Sequence, residues 1–487
     1  DALRASGLAA ACVNSTMSPN ERKAVAGQIS AGELKLLYIA PERLMQAKTL
    51  AFLKNVNLSL IAIDEAHCIS SWGHDFRPEY RGLRVLKEKF PQVGVHAYTA
   101  TATEQVRGDI AEQLGLQQPE VLVGSFDRPN LVYSVQRANN RFRQICDVIE
   151  RHPQQSGIVY CISRKEVDKT AAALSQLGHR AAPYHAGLTD EERHAHQDAF
   201  IREDIDVIVA TVAFGMGIDK SNVRYVVHAG MPKSLEHYQQ ESGRAGRDGL
   251  EAECRLLFSG GDFLTWSRML DGGAARDGAQ QALEAMSAYC NGVTCRHRAI
   301  VSHFGQMLPT DNCGACDVCL GELDLVDDPL IVAQKILSCV ARLQERFGAD
   351  YTTKVLAGSS EKRILDAGHN QLSTYGLLQD ESAKTIRDWL EQLVGQKFLR
   401  KEGEYQTLAL TDAGRALLRG EGSPRLLRPS EQATRKAAGY DAASWEGVDR
   451  DLFESLRQLR KARADALEVP AYVIFSDATL RDLARRR

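Results

Sequence analysis

No stretch of this 487-residue chain is apolar for long enough to cross a bilayer, and no cationic run followed by an apolar one opens it. The sequence therefore offers neither a transmembrane helix nor an export signal, and it reads as cytoplasmic. It also lacks an excess of positive charge: 60 Lys and Arg stand against 63 Asp and Glu, for a net charge of −3. That excludes a basic coat for nucleic acid but not a local cationic channel, because phosphate affinity depends on where charges sit. With 44% hydrophobic and 25% charged residues, the chain is neither disordered nor fibrous. Eleven cysteines are an odd number, and without an export signal they read as reduced thiols with a metal site rather than as a disulfide scaffold. The length suggests about three domains at roughly 150 residues each.

The first half alternates strand and helix signals, the pattern of α/β domains with parallel sheets. Ser18-Pro19-Asn20-Glu21 predicts a capped helix start, with an apolar strand following at 34–40. The same order returns at Thr189-Asp-Glu-Glu192 with a strand at 205–211, an offset of 171 residues from Ser18 to Thr189. Two copies of one α/β unit are expected. Around Leu264 the signals become helical, then cysteine-rich. Residues 324–328 are acidic and read as a linker. Residues 329–422 carry helical patterns ending in a hairpin signal at 397–410, which suggests a winged helix. Residues 420–439 are rich in Gly, Pro, Ser, Arg and Lys and read as a flexible linker, set between domains at 423–448, and another amphipathic helix begins at Asp451.

Three constellations carry chemistry. Leu60-Ile-Ala-Ile63 is a short apolar strand with Asp64-Glu65-Ala66-His67 at its end, where parallel sheets place ligands. One carboxylate to hold Mg²⁺ and another to polarise water is a phosphohydrolase solution, the alternative being a solvated acidic turn. In Gln240-Glu-Ser-Gly243-Arg244-Ala-Gly246-Arg247-Asp248-Gly249, arginines three apart are expected on one side of a short helix. Their forks match phosphate oxygens, so with Asp64-Glu65 they read as an arginine finger, the alternative being an exposed turn. Cys313-Gly-Ala-Cys316-Asp-Val-Cys319 gives three thiols at metal spacing, with Cys290, Cys295 and His297 as upstream candidates for the fourth ligand. Four thiolates would close a tetrahedral, structural Zn²⁺ site.

In order, these segments resemble the motifs of the RecQ family of superfamily-two DNA helicases. Asp64-Glu65-Ala66-His67 resembles the Walker B motif, and Cys68-Ile-Ser-Ser-Trp72-Gly-His74-Asp-Phe76-Arg77-Pro-Glu-Tyr80 resembles the aromatic-rich loop of that family. Tyr98-Thr99-Ala100-Thr101, Ser125-Phe-Asp-Arg-Pro-Asn130, Gly157-Ile-Val-Tyr-Cys-Ile-Ser-Arg164, Tyr184-His-Ala-Gly187 and Ala210-Thr-Val-Ala-Phe-Gly-Met-Gly-Ile-Asp219 continue the series to the arginine motif. The resemblance implies an α/β fold with two RecA-like parallel-sheet domains, 1–118 (incomplete) and 119–263. A helical zinc-binding module at 264–323, a winged-helix domain at 329–422, a linker at 423–448 and a partial helical HRDC domain at 449–487 would follow.

It further implies an ATP-dependent 3′ to 5′ DNA helicase that unwinds duplex in recombination and repair, using ATP, Mg²⁺ and Zn²⁺. Asp64, Glu65, His67, Arg244 and Arg247 would be catalytic, and Asp64, Gly217, Asp219, Gln240 and Arg247 would meet the nucleotide. Cys295 would join Cys313, Cys316 and Cys319 as the zinc ligands. Trp72, Phe76, Arg77, Thr99, Thr101, Lys401 and Tyr405 would face DNA, with core aromatics (Trp72, Phe76) and a solvated hairpin (Lys401, Tyr405) as the alternatives. Single-stranded and partial-duplex DNA are the implied partners, with a single-strand-binding protein at the winged helix, in the bacterial cytoplasm at the nucleoid. The family's P-loop is absent: no Gly-Lys-Ser or Gly-Lys-Thr occurs. Its glutamine motif is absent too, and the chain opens on Asp1-Ala-Leu-Arg-Ala-Ser-Gly7, which reads as a helix tail. Both motifs are expected upstream of Asp1, making this a fragment that by itself binds DNA and hydrolyses nothing.

Overall fold

The computed structural model describes residues 3, 7–13, 17–73, 75–215, 220–270, 276–323, 325–403, 406–428 and 445–486. They form two units, residues 1–124 with 273–279 and residues 125–272 with 280–487. In the first unit β1 (Ala10–Val13) pairs in parallel with β2 (Leu36–Ile39), and β3 (Leu60–Ile63) pairs in parallel with β4 (Gly94–Ala97). Leu50, Leu53, Ile63, Ile69, Leu86 and Ile110 pack beside them as one core. Leu36, Tyr38 and Leu60 on these strands are exposed, although parallel strands are ordinarily covered on both faces.

The second unit is built on a six-stranded parallel sheet of order β5-β10-β9-β6-β8-β7. Its strands are β5 (Leu131–Arg137), β6 (Ser156–Tyr160), β7 (Ala181–Tyr184), β8 (Val207–Ala210), β9 (Val223–His228) and β10 (Ala252–Phe258). Three of the four inner strands, β6, β8 and β9, are buried at every residue, as continuous Val- and Ile-rich runs require. Ser18 and Glu21 form a reciprocal capping box at the helix Pro19–Ser30, and Thr189 and Glu192 form another at Asp190–Ile201. The offset read from those caps carries through from β2 to β8 residue for residue.

One core of this sheet runs from Leu131, Tyr133 and Tyr238 through Leu283, Met286 and Phe304 to Cys295 and Cys316. The cysteine-bearing module thus shares the sheet's core instead of having its own. The backbone shows the same union at the sheet's edge. Tyr133 donates its N–H to Ala315 O (3.1 Å) and accepts from Asp317 N–H (3.0 Å).

A separate core, including Ile336, Leu337, Val340, Trp389, Leu390 and Leu408, unites the helices Pro329–Arg342, Ala349–Leu356 and Ala383–Gly395 with the antiparallel hairpin β11 (Leu399–Glu402) and β12 (Thr407–Leu410). This is a winged helix. Two expected linkers turn out to be partly ordered. Val326 N–H donates to Leu426 O (2.8 Å), Leu426 is fully buried, and Leu427 O accepts from Trp389 Nε1 (2.8 Å). Composition rich in glycine, proline and arginine concealed an apolar pair, Leu426-Leu427, that the winged helix covers. Most of the remaining linker, 429–444, lies outside the described residues. The last segment, with helices Arg450–Ala466, Ala471–Ile474 and Asp477–Arg486, has its own small core of Phe453, Leu480 and Ala484 under Trp445, Val448, Leu452 and Leu456.

Candidate active site and metal centre

β3 ends at Ile63 and delivers Asp64 into solvent, where its Oδ1 accepts the Glu65 N–H (2.9 Å). Glu65 has φ +50°, a left-handed conformation that non-glycine residues enter at a cost and that clusters at functional sites. This bend turns the chain into the 3₁₀ turn Ala66–Ile69. His67 is buried, and its Nδ1 lies 3.0 Å from Thr99 Oγ1 and 3.3 Å from Glu65 Oε2. Tyr98 N–H donates to Ile63 O, and Ala66 N–H donates to Tyr98 O. The carboxylate pair and the Tyr98-Thr99-Ala100-Thr101 segment are therefore one hydrogen-bonded assembly. His67 thus stands between Thr99 and Glu65, within reach of both. Thr101 stands differently from expectation: it is buried, and its hydroxyl has no partner among the described residues, so in this conformation it cannot touch DNA. Its backbone N–H instead donates to Thr99 Oγ1.

The aromatic loop leaves the same turn. Trp72 is 55% exposed, which removes the core alternative for that residue. Phe76 is half-buried with the Arg81 guanidinium 4.8 Å from its ring centre. Arg77 gives Nε and Nη2 to Asp75 Oδ2 (3.2 and 2.8 Å), so part of its charge is met locally. Cys68 beneath the loop is a buried thiol pushed up to about 12 by burial and then by Asp75, which makes it inert at neutral pH.

In the second unit the helix Leu235–Ser242 ends before either arginine, so Arg244 and Arg247 occupy a turn and not the helix face expected. The glycines between and beside the arginines stop the helix. Gly246 has φ +57°, and a Cβ there would lie 2.4 Å from Asn130 Nδ2. Arg244 is buried, close enough to Gly215 that a Cβ on that glycine would meet its Nη2 at 2.6 Å, whereas Arg247 is exposed. Gln240 is half-buried on the preceding helix. Gly217 and Asp219 lie outside the described residues. Sequence reasoning missed the clamp on this turn. Arg128 donates to Gly243 O, Ala245 O and Gly246 O, and Asn130 donates to Gly246 O and Leu250 O. The only advance signal was that both belong to the Ser125–Asn130 motif.

The sulfur atoms of Cys295, Cys313, Cys316 and Cys319 all lie within 4.8 Å of one another. Ala315 and Cys319 donate backbone N–H groups to Cys313 Sγ (3.3 Å) and Cys316 Sγ (3.4 Å), which stabilise thiolate character. The rival ligands are engaged elsewhere. Cys290 is buried outside the cluster, and His297 joins Asp127 Oδ1 through Nδ1 (2.7 Å) while Nε2 faces Leu131 O and Ala315 O. Arg296 and Asp317, both buried, form a two-pronged ion pair that locks the helix after Cys295 to the triple-cysteine loop.

Five family models match in chain order: DEAD/DEAH box helicase at 3–108, Helicase conserved C-terminal domain at 140–249, RecQ zinc-binding at 260–320, RQC domain at 326–435 and HRDC domain at 449–487. The ATP-dependent DNA helicase RecQ of Pasteurella multocida (strain Pm70) is 40% identical over 492 residues, covering 100% of this chain and 77% of that protein. The protein of the same name from Bacillus subtilis (strain 168) is also 40% identical, covering 100% and 81%. The chain belongs to the RecQ family of DNA helicases.

Within that family frame the four-thiol cluster is the RecQ zinc centre. Its closed, all-sulfur donor set suits a structural Zn²⁺ with no open position. The winged helix is the RQC domain. On its hairpin Lys401 is bound to Glu391 (2.8 and 2.9 Å), so part of its charge is met locally. Tyr405 lies outside the described residues. Among the described residues, no helix is long and apolar enough to cross a membrane.

Proposed function

We propose that this RecQ chain carries the hydrolytic and DNA-coupling parts of an ATP-dependent 3′ to 5′ helicase that unwinds duplex DNA in recombination and repair. The observation that carries the reading is the assembly at the end of β3. Asp64 and Glu65 sit on the turn that launches the aromatic loop, and His67 ties Glu65 to Thr99. Asp64, exposed, would hold Mg²⁺, which supplies charge neutralisation on phosphate oxygens. Glu65 orients and deprotonates the attacking water, and Arg247 meets charge on the γ-phosphate. Trp72 stacks on a base and, with Phe76 and Arg77, reports DNA to the carboxylates. Arg244, packed behind Gly215, holds its loop and does not touch substrate.

A second reading is favoured by one specific fact: the sequence holds no P-loop. Mg²⁺ keeps several waters and leans on substrate oxygens, so without backbone amides and a lysine to cradle phosphates this polypeptide alone should bind DNA but not ATP. Titrating a fluorescent ATP analogue and a labelled partial duplex against it tests both parts. Micromolar Mg²⁺-dependent nucleotide binding would refute the second reading. In a protein with a P-loop ahead of this sequence, Glu65→Gln should keep ATP and DNA binding and abolish hydrolysis. Normal turnover would remove Glu65 from the chemistry. The expected segment boundaries, nucleoid location and a single-strand-binding partner at the winged helix remain parts of this proposal.

A further inference from the structure

Glu203 sits just past the helix Asp190–Ile201 with φ +65°, where glycine would be the unstrained residue. Its side chain is nevertheless almost wholly buried. Its Oε1 accepts from Asn222 Nδ2 (2.8 Å), faces Lys220 Nζ at 3.6 Å, and faces Arg460 Nη2, from the last helical segment, at 3.5 Å. Arg460 also donates to Asp477 Oδ1 (2.7 Å) and Phe475 O (2.9 Å). Four buried charges thus meet where the HRDC segment rests on the second parallel-sheet unit. Outside them Lys461 reaches Asp204 Oδ1 and Arg202 O (both 2.9 Å), and Arg457 reaches Gln154 O.

We propose that this seat is a reversible electrostatic latch: docking of the HRDC segment through Arg460 steadies Glu203 and, through residues 220–224, the turn that carries Arg247. Three observations carry it. First, each of the four central charges keeps an opposite partner on its own side, Lys220 with Glu203 on the sheet and Arg460 with Asp477 on the segment, while Arg457 and Arg481 line the same seat from the segment. Separation therefore leaves none of those four without a counter-charge, which is the costly event for a buried ion pair. Second, the apolar core of the segment is closed on itself and does not merge with the cores of the sheet. The contact is polar, as in interfaces that open. Third, the strip beside Glu203 grips the arginine turn. Asp248 N–H donates to Ser221 O (3.2 Å), Gly246 N–H donates to Val223 O (2.9 Å), and Arg224 is ion-paired to Asp248. With the segment docked, Glu203 and Lys220 are dry and strongly coupled. With it gone, water screens the pair, and Asn222 loses a fixed acceptor.

The latch rests on the function proposed above only for its effect on turnover, so it is tested without nucleotide on the full chain. Carbodiimide should join Lys461 to Asp204 at low salt, and that cross-link should vanish at high salt and in Arg457→Glu. Hydrogen exchange at the Gly246 and Asp248 amides should quicken about tenfold in Arg460→Gln, the factor that ~1.4 kcal/mol of lost local stability produces. Amides of β8, and of β9 beyond Arg224, should not change. If Arg460→Gln unfolds the segment, Arg457→Glu answers alone, because it leaves the Arg460–Asp477 pair intact. A cross-link that survives both high salt and Arg457→Glu would overturn reversibility. A cross-link lost with Gly246 and Asp248 exchange unchanged would overturn control of the turn, and would leave the reading of hydrolysis untouched.

Discussion

Cys316→Ser should remove the zinc and most of the stability of the second unit, and its cost can be traced contact by contact. Cys316 is fully buried, between Ala315 and Asp317, which bond to Tyr133 on the edge strand. Asp317 also accepts the Val135 N–H (2.9 Å). Without the metal the crowded thiolates cannot stay together as charges, because like charges about 4 Å apart repel by ~4 kcal/mol even at an effective dielectric of ~20. Releasing the loop would forfeit these three edge hydrogen bonds at ~1 kcal/mol each. Opening the buried Arg296–Asp317 pair would add a further ~3–5 kcal/mol. That total, on the order of 6–8 kcal/mol, is comparable with the ~5–15 kcal/mol that holds a whole domain. Zinc per chain should therefore fall from one to none in a chromogenic chelator assay, and the denaturant midpoint by circular dichroism should drop steeply. Cys290→Ser is the matched control: it buries a hydroxyl at ~1–3 kcal/mol but should leave zinc in place. The assignment fails if Cys316→Ser retains its zinc and its midpoint, or if Cys290→Ser loses the metal.

Trp72→Ala should cost no more than ~2 kcal/mol, since under half of a side chain worth ~200 Å² is covered, at ~25 cal/mol per Å². DNA affinity should weaken by the ~1–3 kcal/mol of one stacked base, and a melting-temperature collapse in place of that affinity loss would return Trp72 to the core. Glu203 is held near 2: burial pushes its carboxyl up, but Lys220, Arg460 and Asn222 outweigh it. The folded pKa lies below the unfolded one, so its stabilisation is complete above about pH 4.5 and lost as pH falls toward 2. Docking of the last helical segment, read by hydrogen exchange at the Gly246 amide, should persist down to about pH 4.5 and weaken below it, and an interface that opens near neutrality would contradict this. His297→Ala should keep its zinc yet accelerate exchange at Gly246, whereas loss of metal would make His297 a ligand after all.

What the sequence revealed and what it hid divide along one physical line. Capping boxes, apolar strands and the cysteine triplet are local patterns, and each formed where its residues are, down to the shared offset of Ser18 and Thr189. Asp64 and Glu65 were legible because a strand end fixes where they must point. Contacts made through space were not. Nothing near Arg128 in the chain says that its guanidinium will hold carbonyls at 243–246, and nothing near Glu203 announces Arg460. The helix expected under Arg244 and Arg247 failed for a reason within reach. Two glycines in four residues favour a turn, and Gly246 in the left-handed region makes one. The zinc module's union with the sheet was equally invisible, because shared cores leave no mark on periodicity.

That union bears on the arginine turn. His297, on the helix that follows Cys295, binds Asp127 and faces Leu131 O; Phe304, just past the end of that helix, stacks on Phe126 at 4.3 Å; Gln306 accepts the Phe126 N–H. The zinc module thus fixes residues 126–131 from one side. Those residues supply Arg128 and Asn130, which fix the turn of Arg247 from the other. A metal with no open coordination position cannot take part in hydrolysis, but it can decide whether the proposed arginine finger is held in one place. On this view the turn has two supports: a permanent one that runs from the zinc through β5, and the releasable one at Glu203. Losing the first should unfold part of the sheet's edge along with the turn. Losing the second should loosen the turn alone, so the two are separable by whether β5 amides exchange together with Gly246.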